Sequence, residues 1–241
     1  MNKTANRKGA NIQLRKYSDK SLFSYIDFAN SVNIELNSNR VYATGGDSGA
    51  RQVGFDDPIE GSLRISTQIV PIEFVALACS PDGVETGGEI GKREKLTSET
   101  ASSAVQITLT ETPVAGTLYV YAASSDLTGT PATVSAAGKV VTITDGVADT
   151  DYIAYYIVAS ATAKSATFNN RKTPGCYIVY GDTVWKDTND TISAEHFKAY
   201  KAMPQKAFSI TYQGSGDPLT FEMTFDLMED EDGNVYTSSR I

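Results

Sequence analysis

Gly46-Asp47-Ser48-Gly49 repeats the local pattern around a serine-protease nucleophile, so this serine is the first residue to test for chemistry. Such a nucleophile needs a histidine base within hydrogen-bond reach. The chain has one histidine, His196, and it lies downstream of the serine, against the trypsin-like order. The segment therefore reads as a glycine-rich loop, and His196, in the polar run SAEHFKAYK, as a surface residue. Asp230-Glu231-Asp232-Gly233 resembles part of a calcium loop. However, Met228 stands where the first carboxylate belongs and Ser239 where the bidentate glutamate belongs. An acidic turn is the better reading. Cys79 and Cys176 are too few for a disulfide scaffold or a zinc site, and their apolar surroundings suit buried free thiols. With no Walker A or other cofactor fingerprint, neither an enzyme nor a cofactor is expected.

Composition bounds the remaining classes. A chain of 241 residues, 41% hydrophobic and 21% charged, can bury a sizeable core as one large domain or a core domain with an insert. Its formal charge of −8 excludes a generally basic nucleic-acid binder, whose affinity comes from clustered cations. The start is charged and lacks the apolar region of a secretory signal. Residues 69–80 and 152–163, the longest apolar stretches, fall short of the roughly 20 residues that span a bilayer, so no membrane partner is expected. Charge is uneven: residues 1–20 carry +5 and residues 217–241 carry −6. These are two solvated ends, or ends that attract one another between subunits.

The elements that would position any site are mostly strands. Residues 1–20 read as an extended, polar arm without helical or strand period. Residues 21–37 pass from the apolar set Leu22, Phe23, Ile26 and Phe28 to a strand in which Val32, Ile34 and Leu36 alternate with polar residues. Residues 42–57, with four glycines, read as a loop. A strand follows at 62–69, then a short helix at 71–80 that Pro71 starts and Pro81-Asp82-Gly83 ends. Residues 99–167 are rich in Ala, Thr and Val, with strands expected at 105–110, 118–122, 139–144 and 152–158. The last third reads as strands at 176–180, 206–213 and 219–227, the latter two joined by Gly214-Ser215-Gly216-Asp217-Pro218 into a long hairpin. Within 219–227 the apolar Leu219, Phe221, Met223, Phe225 and Leu227 alternate without a break with Thr220, Glu222, Thr224 and Asp226. The fold class is mainly β, a sandwich or barrel with one helix. Thirteen tyrosines fit either strand propensity or a contact surface.

The C-terminal block runs Pro174-Gly175-x-Tyr177-Ile178-Val179-x-Gly181-Asp182-Thr183, then a polar strand, then Met203-Pro204-x-Lys206, an alternating strand, Gly216-Asp217-Pro218 and Thr220-Phe221-x-Met223-Thr224-Phe225-Asp226. Upstream come Gly61-Ser62-Leu63-x-Ile65-Ser66-Thr67, Lys92-Arg93-Glu94-x-Leu96-Thr97 and Thr112-Pro113-Val114-Ala115-Gly116-Thr117. In this order, over residues 57–236, the chain resembles the tail tube proteins of tailed bacteriophages. It departs from them around residues 187–201, where TNDTISAEHFKAY replaces a glycine-containing turn. The resemblance implies a tail-tube-type β-sandwich or barrel with one short flanking helix and long loops. It implies an N-terminal arm at 1–20 and a single domain over 21–241, in which 99–167 is a β-rich elaboration or insert.

The resemblance also implies a structural virion protein whose rings, usually hexameric, stack into a conduit for DNA ejection. Its partners would be copies of itself, together with sheath, tape-measure, baseplate or terminator proteins. DNA would pass without specific binding, and the protein would reside in the virion tail after assembly in the host cytoplasm. On that reading Glu222 and Asp226 are candidates for the lumen, and Lys3, Arg7, Lys8, Arg15 and Lys16 for an inter-ring arm. The alternatives are another phage structural role, as a decoration or baseplate protein, and an Ig-like adhesion or carbohydrate-binding module. The Thr/Ala-rich strands of 99–167 suggest the module.

Overall fold

The computed structural model describes residues 4–6, 8–45, 49–79, 83–101, 103–207, 209–210, 214–216, 218 and 220–241. In chain order its elements begin with β1 (Thr4–Ala5), β2 (Asn11–Lys16), β3 (Leu22–Ile26), β4 (Ser31–Asn37), β5 (Arg40–Gly45), β6 (Ala50–Asp56), β7 (Glu60–Thr67) and helix α1 (Ile72–Cys79). The middle supplies β8 (Glu85–Thr97), β9 (Glu99–Ala101), β10 (Ala104–Thr108), β11 (Tyr119–Ala122), β12 (Val134–Ala137), β13 (Val140–Ile143) and β14 (Asp151–Ser165). The chain closes with β15 (Tyr177–Asp187), β16 (Ile192–Pro204), β17 (Phe221–Met228) and β18 (Tyr236–Arg240). The fold is mainly β with one α-helix among the described residues, as the alternation predicts. That helix is short and apolar, and does not approach the length needed to cross a membrane. Two compact units result: Met1–Val84 with Ala166–Ile241, and Glu85–Ser165.

In the first unit one antiparallel sheet runs β3-β2-β15-β16-β17-β7-β4, with β1 also on β15 and β18 also on β16. Its two edges, β3 and β4, are consecutive in the chain and joined only by residues 27–30. Five Cα steps reach at most about 19 Å, whereas six strand spacings in a flat sheet would cover about 29 Å. The sheet must therefore curl until its edges approach. The inner face holds the core. Along β17, Phe221, Met223, Phe225 and Leu227 are buried while Glu222 and Asp226 are exposed, the register that strict alternation predicts. Helix α1 begins after Pro71, whose carbonyl accepts the Phe74 N–H, and Glu73 lies in its first turn. Its Phe74, Leu77 and Ala78 join the same core, with the Phe74 and Phe221 rings edge to face at 5.4 Å. Gly181 faces Phe197 across the β15–β16 ladder, where a Cβ would collide with the aromatic ring. Only glycine fits there.

Several sequence expectations need correction. The arm does not reach residue 20: β2 lies between β3 and β15, and Ile12 and Leu14 are fully buried. Charged Arg15 and Lys16 at its end mask its three-residue alternation Ile12-Gln13-Leu14. The expected loop at 42–57 is the β5–β6 hairpin, because Val41, Tyr42, Val53 and Phe55 outweigh the glycines. The strand expected at 206–213 is absent from its described residues, and residues 208 and 211–213 lie outside them. The strand is β16 instead. It buries Phe197, Ala199 and Ala202 and shows Lys198 and His196 outward, so it reads as polar. β16 is antiparallel to β17, so the expected hairpin is made by these two strands through the longer connection 205–220, of which 208, 211–213, 217 and 219 lie outside the described residues. Cys79 is buried as expected, but Cys176 is only half-buried.

The second unit begins at Glu85, earlier than residue 99, because the charged strand β8 pairs with β14 along most of its length. Exposed and half-buried residues alternate from Gly91 to Thr97, which gives β8 its hydrophilic appearance. The unit has two antiparallel sheets, β12-β13-β10-β9 and β11-β14-β8. Ile107, Leu109, Val141 and Ile143 from one meet Val120, Tyr152, Ala154, Tyr156 and Val158 from the other in a separate core. This is a small β-sandwich.

Candidate functional site

The β5–β6 hairpin is a two-stranded ribbon whose described residues are almost all exposed, on both faces. Such a ribbon is marginal in water unless something packs on it. Its register pairs Val41 with Phe55 and Ala43 with Val53, which places these four on one face. Val41, Val53 and Phe55 are 59%, 52% and 62% exposed, so this apolar face is left largely open by the described residues. The opposite face is polar. Arg40 pairs with Asp56 there, holding that carboxyl below its usual range, and the Arg51 guanidinium lies 4.3 Å from the centre of the Tyr42 ring. At the hairpin's foot, a cavity of about 710 Å³ is lined by Glu35, Ile59, Gly61, Asp226, Glu229 and Val235, among others.

A second surface is the outer face of the curled sheet. Glu222 and Asp226 stand on it, where Glu222 lies 4.0 Å from Arg64 and Asp226 accepts a 2.7 Å hydrogen bond from Gln205. Lys206 donates to the Asn169 carbonyl at 3.0 Å and not to either carboxylate. Across β2, β15 and β16 the same face turns basic and aromatic. Lys198 Nζ sits 3.8 Å from the Tyr200 ring centre and 5.8 Å from that of Tyr180, with the Arg15 guanidinium 5.9 Å from Tyr180. Sequence reasoning missed this cluster. Its one signal was the spacing of Tyr180, Lys198 and Tyr200 on strands that bury every second residue.

The residues singled out from sequence are scattered. Lys3 and Arg7 lie outside the described residues. The Lys8 carbonyl accepts from Thr183, Arg15 belongs to the basic face, and Lys16 lies 6.0 Å from the Phe23 ring. Ser48 also lies outside the described residues. His196 is exposed, opposite Asp182 on β15. In the 230–233 turn the Asp230 carboxylate accepts the N–H groups of Asp232 and Asn234, and those bonds hold its pKa down against partial burial. It is an acidic turn. Among the described residues no three His, Cys, Asp or Glu side chains converge as a metal site requires.

The arrangement offers surfaces that fit other surfaces, with open sheet edges at β3 and β4 and an apolar ribbon beside them. No curated protein matches the chain. The pattern that defines the YomU/Tube protein family matches residues 7–238, which include the curled sheet, the hairpin and the small sandwich. This agrees with the resemblance to phage tail tube proteins carried by the strand and turn motifs, and the chain belongs to the YomU/Tube protein family.

Proposed function

We propose that this chain assembles with itself into rings, six copies to a ring, that stack into a phage tail tube through which DNA leaves the particle. The role is structural and not enzymatic. The observation that carries it is the β5–β6 hairpin. An exposed two-stranded ribbon with Val41, Val53 and Phe55 on one face has its natural cover on a second copy of the chain. A patch that docks on a different patch of the next copy closes into a ring or continues as a stack, as a tube requires. The unpaired edges of β3 and β4 support the same reading, since an open edge is a template for another strand.

Glu222 and Asp226 are the proposed lumen carboxylates. Exposed on a sheet face, they would repel DNA phosphates across a wet gap and act through repetition around each ring. The arm between rings is reduced to the residues before β2, with Lys3, Arg7 and Lys8 as its cations. Arg15 and Lys16 serve the sheet. The remaining partners on this reading are sheath, tape-measure, baseplate or terminator proteins of the virion tail, met in the host cytoplasm during assembly.

Negative-stain electron microscopy of the purified chain tests this. Wild type should form rings and tubes, and Phe55→Asp should leave folded, unassembled protein with an unchanged circular dichroism spectrum. The double change Glu222→Lys, Asp226→Lys should keep the tubes but slow DNA ejection from virions, most at low salt. Tubes that persist with Phe55→Asp would refute the hairpin as the contact.

A further inference from the structure

Gly91 sits inside β8, a strand of 13 residues, and nothing among the described residues requires glycine there. Its φ is not positive, and an added Cβ would meet no atom within 4 Å. A strand-interior glycine gives up backbone entropy on folding and offers no side chain to pack. Without a turn or crowding, a strand glycine is a common mark of close approach by another molecule to the backbone.

The surroundings say what kind of molecule. Gly91 pairs with Ile157 and lies beside the Arg93–Tyr155 pair on the face of the sheet turned away from the unit's core. A shallow trough of about 400 Å³ opens there, lined by Gly91, Arg93, Thr117, Tyr155 and Ile157 among others. That volume suits a small organic ligand. Tyr155 is fixed at its rim. Its hydroxyl donates to the Asp126 carboxylate at 2.9 Å and accepts from Arg93 Nε at 3.1 Å. Arg93 also pairs with Asp126 at 2.9 Å, and the Tyr121 ring stands edge-on to Tyr155 at 6.2 Å. Tyr119, 54% exposed, continues the aromatic row, because it pairs with Tyr155 across the β11–β14 ladder.

Charge on this face is balanced: Arg93 answers Asp126, and Lys95 answers Asp151 at 2.7 Å. No surplus cation favours a polyanion. What remains is an aromatic row, planar guanidinium and carboxylate groups with donor and acceptor capacity to spare, and a bare backbone floor. A sugar ring matches this chemistry: its C–H face packs on tyrosine, its hydroxyls bond in pairs to planar polar groups, and its bulk needs the space a side chain would fill. We propose that the trough beside Gly91 is a binding site for a neutral glycan, with Tyr155 as the stacking platform and Arg93 as the hydroxyl partner. This goes beyond the tube role and does not depend on it.

The test applies the full-length protein to an array of neutral, sialylated and sulfated oligosaccharides, beside the variants Gly91→Val and Tyr155→Ala. Neutral glycans should be retained, and either substitution should weaken their binding at least ten-fold. Gly91→Val should melt no lower than wild type, since valine suits an exposed strand position with free space. If Tyr155→Ala loosens the unit, Gly91→Val alone decides. No retention of neutral glycans, retention of charged ones only, or equal binding by Gly91→Val would overturn the site. Tubes counted by microscopy on the same samples keep this result separate from the assembly reading.

Discussion

The two units treat their surfaces in opposite ways. The small sandwich is built from one continuous segment, and its charged side chains on β8 are bonded within the unit: Lys92 to Glu111, Arg93 to Asp126, Glu94 to Thr110 and Tyr156, Lys95 to Asp151. The curled sheet is assembled from two separated chain segments, ends in two edges unpaired among the described residues, and carries a ribbon whose Val41, Val53 and Phe55 are each more than half exposed. The difference separates a module whose charges are satisfied within itself from one that the proposed assembly would complete. It also accounts for the ease of the insertion. Glu85 and Ser165 are paired neighbours on β8 and β14, so the sandwich leaves and rejoins the chain almost at one point.

The sharpest way to break this comparison is to remove residues 1–20. If β2 is a central strand and not an arm, its loss strips Ile12 and Leu14 from the core and separates β3 from β15, more than a fold stable by about 5–15 kcal/mol can tolerate. Calorimetry should then show one transition, that of the sandwich, where the whole chain shows two. A truncated chain that keeps both would restore the arm. Smaller core changes sharpen the separation. Phe225→Ala should cost about 3–5 kcal/mol and lower only the transition of the sheet unit. Ile107→Ala should cost about 2–5 kcal/mol and lower only that of the sandwich. If each mutation moves both midpoints equally, the units do not fold independently.

The smallest effect is in pH. In the sandwich, Glu94, Asp126 and Asp151 titrate below their usual range: hydrogen bonds to Glu94 outweigh its partial burial, and Arg93 and Lys95 hold down the other two. Folded carboxyls with depressed pKa values add stability above about pH 4 and lose it as pH falls further. In the sheet unit, burial pushes the Tyr177 hydroxyl up to about 12. Its contribution is complete below about pH 10 and lost as pH rises through that folded value. The acid limb of a melting-point profile should fall for both units, since Asp56 and Asp230 of the sheet unit are held down as well, and the alkaline limb should fall further for the sheet unit, which buries Tyr177. Substituting Tyr177→Phe should flatten the alkaline limb.

What could be read from the sequence followed from how each strand is buried. The strand around Phe221–Leu227 has one dry and one wet face, so its period of two is complete and its register was legible residue by residue. The helix after Pro71 was legible from its apolar run and its start. β8 was hidden, and β16 was legible only as a polar strand without a register. Their outward faces carry charge, and inward β8 residues are only half-buried while β16 buries alanines beside a single Phe197, so apolar contrast falls below what alternation needs. The hairpin was hidden differently, because its glycines argue for a loop and the described residues leave its apolar side largely open. The candidate surfaces were legible only in part. Glu222 and Asp226 follow from alternation, whereas the hairpin face and the Gly91 trough need pairings between distant residues.

The account stands on the claim that assembly belongs to the curled sheet and its hairpin. It is tested most directly by electron microscopy of a chain in which Glu85–Ser165 is replaced by a short glycine-serine turn joining Val84 to Ala166. The account predicts rings and tubes with the wild-type symmetry, since both sheet edges and the Val41–Phe55 face are retained. Folded protein that stays monomeric after this excision would contradict it, and would assign assembly to the sandwich.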